Sequence, residues 1–165
     1  MRILIRDSYE EVSQAAAQIV STLIRNKPNC TLGLATGSTT LGLYKELIRM
    51  HKEEGLDFSK VVTFNPDEYI SLPPGHNQSY RYFMNEDFFK HININTANVY
   101  IPDGITEDIE KHCAWYESEI ERHGGIDLQI PGIGSNGHIA FNESGTSLGS
   151  GCNCPDAQEC NRSIR

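Results

Sequence analysis

The sequence of 165 residues lacks long apolar runs and has few positive charges. No stretch approaches the roughly 20 apolar residues of a membrane span, and no repeat has a solenoid period. The first seven residues reach a charged side chain too early for a secretory signal peptide. Lys and Arg number 14 against 22 Asp and Glu, and the clustered cations that nucleic acids and acidic membranes require are missing. These absences predict a cytoplasmic protein without nucleic-acid or membrane partners, and they leave a small anionic ligand possible.

Cysteine is also scarce, with five residues in the chain. Cys30 and Cys113 are isolated, whereas Cys152, Cys154 and Cys160 fall within the last 15 residues. Their Cys-x-Cys-x5-Cys spacing does not match a zinc site, so no metal site is predicted. The 38% hydrophobic content, 14 Gly and 7 Pro are typical of an ordinary globular domain.

The hydrophobic pattern alternates between short strand-like and longer helix-like segments, which predicts βαβ units and a mainly parallel sheet. A capping box, Ser8-x-x-Glu11, precedes the first predicted helix, and Gly124-Gly125 should end the last. The apolar stripe of the first helix is expected to contain Val12, Ala15, Ala16, Ile19 and Leu23. Strands are expected at 2–5, 31–35, 61–65, 97–101 and 126–130. Residues 151–165 have neither period nor apolar content, and we expect an unstructured tail there.

Ligands of open α/β sheets collect beyond the carboxyl ends of the strands, which directs attention to three segments. The first is Thr36-Gly37-Ser38-Thr39, which joins a predicted buried strand to a helix. Small residues there allow backbone N–H groups and hydroxyls to hold an anion. An ordinary helix N-cap is the alternative interpretation, because Ser and Thr are preferred at that position.

The second segment, Asn65-Pro66-Asp67-Glu68-Tyr69, places two adjacent carboxylates at a strand end. Adjacent side chains diverge, so only one is expected to face a pocket while the other supports the surrounding loops. The carboxylate that faces the pocket suits a general base. A purely structural turn is the alternative.

The third segment, residues 132–143, contains a formal Gly-x-Gly-x-x-Gly after a predicted strand. A dinucleotide fingerprint requires a helix at this point and a later acidic residue at a strand end, and neither follows. The glycines are better explained as bends that turn His138 and Glu143 toward one site for acid/base chemistry. An ordinary surface histidine is the alternative.

Together these segments resemble the glucosamine-6-phosphate deaminase family, also called glucosamine-6-phosphate isomerase. The resemblance covers residues 1 to about 150 and keeps the family's order of segments. The matching stretches are 32–39 with 43–47, 62–69, 78–80 with 83–84, 132–134 and 137–143.

The resemblance implies a Rossmann-like, three-layer αβα fold in one domain over residues 1–150 that lacks the family's later strands. It also implies conversion of glucosamine 6-phosphate and water to fructose 6-phosphate and ammonia in amino-sugar catabolism, without a metal or redox cofactor. By the resemblance, Asp67 moves a proton between C2 and C1, His138 assists ring opening, and Glu143 tunes that histidine. Residues Thr36, Gly37, Ser38 and Thr39 then bind the substrate phosphate. Family members are commonly hexamers.

Three departures from the family pattern predict weak activity for this chain. Asn136 replaces an aspartate two residues before His138, and an amide cannot supply the negative charge that stabilises an imidazolium. Ser144 and Thr40 replace customary prolines. The similarity ends near Ser150, whereas the family continues through segments that supply basic phosphate ligands. The alternatives are a 6-phosphogluconolactonase-type hydrolase and a non-catalytic protein that binds sugar phosphates.

Overall fold

Helices and strands alternate along the chain in the computed structural model, which describes residues 3–134 and 136–139. The strands in this part are β1 (Thr31–Leu34), β2 (Val62–Phe64), β3 (Val99–Tyr100) and β4 (Leu128–Ile130). The α-helices are α1 (Tyr9–Asn26), α2 (Ser38–Glu54), α3 (Tyr80–Asp87) and α4 (Ile109–Arg122), with short 3₁₀ turns at Phe89–His91 and Thr96–Asn98. Among these described helices, none has the length and apolar character that crossing a membrane would require.

The four strands form one parallel sheet in the order β3-β2-β1-β4. On one face, Leu32 and Leu34 of β1 belong to an apolar cluster that also contains buried residues of α1, α2 and α3. A second cluster joins Val62 and Phe64 of β2 to Tyr116 of α4. Successive strand residues point to opposite faces, so each face has its own helix layer. The predicted three-layer αβα fold is confirmed.

Several local predictions are confirmed at the helix ends. The hydroxyl of Ser8 accepts a hydrogen bond from the N–H of Glu11 at 3.2 Å, as expected of its capping role. After α4, Gly124 and Gly125 adopt φ values of +83° and +86°, which favour glycine. The strands expected at 31–35, 61–65, 97–101 and 126–130 are all present, although each is shorter than predicted.

The strand predicted at residues 2–5 is wrong for the residues that the structure describes. Residues 3–5 have no strand structure, and the side chains of Ile3 and Ile5 are 70% and 83% exposed. Alternating apolar residues form a strand only where a neighbour offers hydrogen bonds, and within the described residues β1 to β4 pair only with one another. Arg2 lies outside those residues, as do Glu143, Ser144 and the expected tail at 151–165.

The apolar stripe predicted for α1 is also wrong in part. Val12 and Ile19 are about half exposed. The buried residues of the helix are Ser13, Ala17, Val20, Ser21 and Ile24, of which three are Ser or Ala. α1 packs closely on α2, where a Cβ added to Gly42 would lie 2.2 Å from Ser13 Oγ. Close packing at this point therefore favours a small side chain at position 13 over a large apolar one.

Asn65, a fully buried residue at the end of β2, joins the carboxyl ends of three strands through its side chain and its backbone. Its Nδ2 donates to the carbonyl oxygen of Leu34 at 2.6 Å, and its backbone N–H donates to that of Tyr100 at 3.0 Å. The hydroxyl of Tyr116 donates to the Asn65 carbonyl oxygen at 2.8 Å. These bonds fix the start of the segment that carries Asp67.

We predict that Asn65→Ala lowers the free energy of unfolding by about 2 kcal/mol, because a buried hydrogen bond is lost and a small cavity forms. The loss stays moderate because Asn65 Oδ1 has no hydrogen-bond partner among the described residues, so its removal costs no hydrogen bond there. Urea denaturation measures the change. The control is Asn85→Ala, which removes an exposed amide that contacts only the neighbouring Glu86 carboxylate. Equal effects of the two substitutions would contradict the role given to Asn65.

Candidate functional site

A cleft of about 240 Å³ opens at the carboxyl ends of β1, β2 and β4. Three chain segments that are distant in sequence form its walls, as expected for a parallel sheet. Its lining residues are Ala35, Thr36, Gly37, Ser38, Thr39, Asp67, Tyr80, Gly132, Ile133, Gly134 and His138. Of the predicted site residues that the structure describes, the cleft therefore brings together all except Asn136.

The segment Thr36–Thr39 leads from β1 into the first turn of α2. Gly37 is the N-cap residue, with φ +99° and no side chain to cap the helix. Ser38 and Thr39 occupy the first two helical positions and are exposed. The interpretation as an ordinary Ser or Thr cap is therefore wrong. The N-terminus of α2, which has no acidic residue in its first turn, faces the cleft with a partial positive charge.

The buried hydroxyls of Thr40 and Tyr44 hold the backbone of this segment by hydrogen bonds to the carbonyl oxygens of Gly37 and of Ala35. Thr40 Oγ1 lies 3.0 Å from the carbonyl oxygen of Gly37 and 3.3 Å from that of Ala35. The hydroxyl of Tyr44 donates to the same Ala35 oxygen. Thr40, which replaces a customary proline of the resembled family, thus supplies a hydroxyl at a point where proline has none.

Asp67 lines the cleft from the end of β2 and is partly buried. Burial, followed by the nearby charge of Glu68, raises the pKa of Asp67 to about 7. A carboxyl group with this pKa exchanges protons readily near neutral pH, so the environment suits a general base.

Glu68 points away from the cleft and caps α3, as the divergence of adjacent side chains predicted. Its Oε1 accepts from the backbone N–H of Tyr80 at 2.8 Å, and its Oε2 accepts from that of Arg81 at 2.9 Å. The same Oε1 accepts from the N–H of Tyr69 at 2.9 Å. One carboxylate thus fixes the loop that carries Asp67 against the start of α3.

Tyr80 is a site residue that reasoning from the sequence missed, because its helix pattern indicated a core residue. Its side chain lines the cleft, and its hydroxyl lies 3.2 Å from that of Tyr69. Burial is the main cause that raises the pKa of Tyr80 well above its usual value, so the phenol is neutral and can donate a hydrogen bond. A sequence feature that could have drawn attention to this residue is Glu68, twelve positions earlier, whose carboxylate accepts from the backbone N–H of Tyr80.

Backbone hydrogen bonds among Gly134, Gly137 and His138 position the ring of His138 at the cleft. The N–H of Gly134 donates to the carbonyl oxygen of His138, and the N–H of Gly137 donates to the carbonyl oxygen of Gly134, both at 2.9 Å. Gly137 has φ +88°, and a Cβ on Gly134 would lie 2.2 Å from Cε1 of His138. Glycine is therefore required at both positions for the ring to occupy this place.

Asn136 lies beside His138 rather than in the cleft wall. Its Oδ1 is 2.6 Å from His138 Nδ1 and 3.3 Å from the backbone N–H of His138. A backbone N–H can only donate, which identifies the shared amide atom as oxygen and makes Nδ1 a donor. In the neutral ring, Nε2 is then the nitrogen that accepts a proton.

Among the described residues, those that line this cleft include no Lys or Arg. Across residues 3–134 and 136–139, no group of three or more His, Cys, Asp or Glu side chains could hold a metal ion. In the part of the chain that the structure describes, an anion in the cleft would therefore contact mainly backbone N–H groups and hydroxyls.

Comparison with known proteins gives one family. The family model of glucosamine-6-phosphate isomerases/6-phosphogluconolactonase matches residues 6–144. A glucosamine-6-phosphate deaminase of Thermoanaerobacter sp. (strain X514) is 60% identical over 148 residues, which are 90% of this chain and 58% of the relative. The deaminase of Clostridium perfringens (strain SM101 / Type A) is 50% identical over 159 residues, or 96% of this chain and 66% of the relative. The chain thus spans about three fifths to two thirds of the length of these relatives.

Solved structures support the same grouping. A structure described as a monomeric glucosamine-6-phosphate deaminase superposes with a TM-score of 0.89 at 45% identity, over 91% of this chain and 62% of the other. The 6-phosphogluconolactonase of Thermotoga maritima superposes with a TM-score of 0.69 at 29% identity, over 84% of this chain and 62% of the other.

We predict that Asp67→Asn stabilises the fold at high pH. In the unfolded chain an aspartate titrates near pH 4, whereas Asp67 in the folded chain titrates at about 7. Because the folded pKa is raised, ionisation of Asp67 costs stability as pH rises from about 4 to 7. The increase in the free energy of unfolding on substitution should be close to zero below pH 4 and about 2 to 4 kcal/mol above pH 7.

Thermal or urea unfolding of both proteins between pH 4 and 8.5 measures this difference. Asp57→Asn provides a control of opposite sign, because hydrogen bonds from Ser59 N–H and Asn93 lower the pKa of Asp57. That substitution should destabilise the chain at pH 8 and lose its effect as pH falls. A gain from Asp67→Asn that does not depend on pH would contradict the electrostatic account of the cleft.

Proposed function

The chain belongs to the family of glucosamine-6-phosphate isomerases/6-phosphogluconolactonase, and we propose on that basis that it performs the acid/base chemistry of a glucosamine-6-phosphate deaminase. The reaction converts glucosamine 6-phosphate and water to fructose 6-phosphate and ammonia. The observation that carries the proposal is the cleft itself, which places Asp67 and His138 beside the N-terminus of α2.

In this proposal the phosphate of the substrate contacts the segment Thr36–Thr39. Backbone N–H groups at a helix N-terminus, together with small hydroxyl side chains, favour phosphate oxygens. The hydrogen bonds of Thr40 and Tyr44 keep this backbone in place before the substrate arrives. Such preorganisation reduces the entropy lost on binding.

Asp67 acts as the base that takes the proton from C2 of the open-chain sugar and delivers it to C1. The transfer, with one proton of the substrate's ammonium group passing to O1, leaves C2 as an iminium carbon. Water then attacks C2, which forms the ketone and releases the nitrogen as ammonium. The pKa of about 7 supports this role, because one carboxyl group must both accept and return a proton near neutral pH. The neutral hydroxyl of Tyr80, which donates to the hydroxyl of Tyr69, lines the same cleft.

His138 assists opening of the sugar ring by exchanging a proton at Nε2. Asn136 supports this role through geometry, because its Oδ1 holds the Nδ1–H and orients the ring. An amide gives less stabilisation to an imidazolium than a carboxylate would. Glu143, which lies outside the described residues, is proposed to tune His138 as the family resemblance implies.

A 6-phosphogluconolactonase activity is the second candidate, supported by the shared family model and by the Thermotoga maritima structure. The relatives at 50% and 60% identity are named deaminases, which favours the first. Ammonia release and lactone hydrolysis, assayed in parallel, separate the two candidates and a non-catalytic binder.

The solved deaminase that superposes at 0.89 is described as monomeric, which favours a monomer over a hexamer. The chemistry uses a cytoplasmic metabolite and we propose that location.

We predict that Asp67→Asn abolishes solvent isotope exchange at C1 of fructose 6-phosphate while sugar-phosphate binding persists. The amide keeps the shape of the side chain but cannot accept the proton. The exchange is measured by NMR in D₂O, with the chain joined to the remaining C-terminal part of the Thermoanaerobacter relative. Asp57→Asn in the same fusion is the control and should exchange normally. Unchanged exchange in the Asp67 variant would refute the assignment of the base.

We further predict that the missing C-terminal contacts limit activity more than Asn136 does. Substrate positioning is worth several kcal/mol in catalysis and must precede proton transfer. Ammonia release should be close to zero for the 165-residue chain and for its Asn136→Asp variant. It should be substantial for the fusion and higher again for the fusion with Asn136→Asp. Robust turnover by the unmodified chain would show that both defects had been overestimated.

A further inference from the structure

Tyr9, the first residue of α1, places its hydroxyl in the first turn of α2. The hydroxyl oxygen accepts from the backbone N–H of Gly42 at 2.7 Å. The hydroxyl group donates to the carbonyl oxygen of Ser38 at 2.9 Å, and the carbonyl oxygen of Thr39 is a second, longer acceptor at 3.2 Å. In a regular α-helix the N–H of residue 42 would pair directly with the carbonyl of residue 38. The phenol thus bridges a donor and an acceptor of the helix itself.

The close approach of Tyr9 depends on Gly42. A Cβ at position 42 would lie 2.7 Å from Cε1 and 2.9 Å from Cζ of the Tyr9 ring, distances too short for carbon atoms. Ser13 closes the same contact from the next turn of α1, where its hydroxyl donates to the Tyr9 carbonyl oxygen at 2.8 Å. The ring is therefore held between the two helices, although nearly half of its surface is exposed.

The bond to Ser38 also affects the cleft, because Ser38 and Thr39 both line it. The carbonyl of Ser38 and the N–H of Thr39 belong to one planar trans peptide group and point in opposite directions. Any rotation that moves the Ser38 carbonyl away from Tyr9 must also turn the Thr39 N–H, which points toward the N-terminal end of α2. Within the described residues, Tyr9 thus fixes the orientation of the Thr39 N–H, a group at the cleft, although Tyr9 itself lies outside the cleft.

We infer that Tyr9 is a positioning residue for the phosphate-binding turn, an inference that rests on the proposed function. Its hydroxyl sets the orientation of the Ser38 and Thr39 peptides before a phosphate ester binds. Among the described residues, Tyr9 is not one of those that line the cleft.

The test uses the 165-residue chain, with Tyr9→Phe as the variant and Tyr82→Phe as the matched control. Tyr82 is an exposed tyrosine on α3 whose hydroxyl has no hydrogen bond among the described residues. In NMR spectra, Tyr9→Phe should shift the backbone amide signals of residues 38–42, and Tyr82→Phe should not. Titration with fructose 6-phosphate should show an affinity about three- to tenfold lower for Tyr9→Phe, the effect of disturbing one or two hydrogen bonds.

A second variant, Gly42→Ala, should displace the Tyr9 ring and reproduce both the amide shifts and the weaker binding. Unmodified fructose serves as the ligand control, and its weaker binding should be the same for all variants because it lacks the phosphate. Unchanged amide signals at 38–42, or an unchanged affinity for fructose 6-phosphate, in Tyr9→Phe would overturn the inference. Failure of the unsubstituted chain to bind fructose 6-phosphate would instead contradict the proposed function, while the amide shifts would still establish that Tyr9 orients this turn.

Discussion

One buried amide, the side chain of Asn65, fixes the distance between the two walls of the cleft. Its bond to the carbonyl oxygen of Leu34 joins the end of β2 to the end of β1, two residues before the proposed phosphate-binding turn, Thr36–Thr39, begins. Asp67 follows Asn65 by two positions, so the same amide determines where the proposed base lies relative to that turn. Tyr116 extends the network to the opposite helix layer by donating to the Asn65 carbonyl oxygen. A displacement at any of these strand ends would therefore change the geometry of the site.

The carboxylates at 67 and 68 show how one dipeptide can provide both chemistry and structure. The N–H groups of Tyr69, Tyr80 and Arg81 hold the Glu68 carboxylate, which ties the loop to α3. Its charge also disfavours ionisation of Asp67, adding to the effect of burial. The structural residue thus helps to give its neighbour a pKa suited to proton transfer. Replacing Glu68 would change both the position and the acidity of the proposed base.

The sequence was sufficient to predict the parallel sheet, the layers and the segments that meet in the cleft, because strand ends and glycine turns are local signals. It was insufficient where tertiary contacts decide. Residues 3–5 alternate like a strand but pair with none of the described strands, and α1 buries the small Ser13 where Gly42 lets α2 approach. Tyr80 and Tyr9 carried no signal of their own. Their roles come from partners 12 and 33 positions away, the Glu68 carboxylate and the Gly42 N–H.

Charge explains why the described part of the site is not sufficient for tight binding. Repulsion between a phosphate dianion and a carboxylate in the same cleft costs a few kcal/mol, on the order of 4, at an effective dielectric constant of about 20. A helix N-terminus returns at most about 2 kcal/mol, and the described residues that line the cleft include no Lys or Arg. An uncompensated phosphate would also raise the pKa of Asp67 further and protonate the proposed base at neutral pH. Cationic ligands beyond the described residues would strengthen phosphate binding and keep Asp67 ionised, so without them binding should be weak and catalysis weaker still.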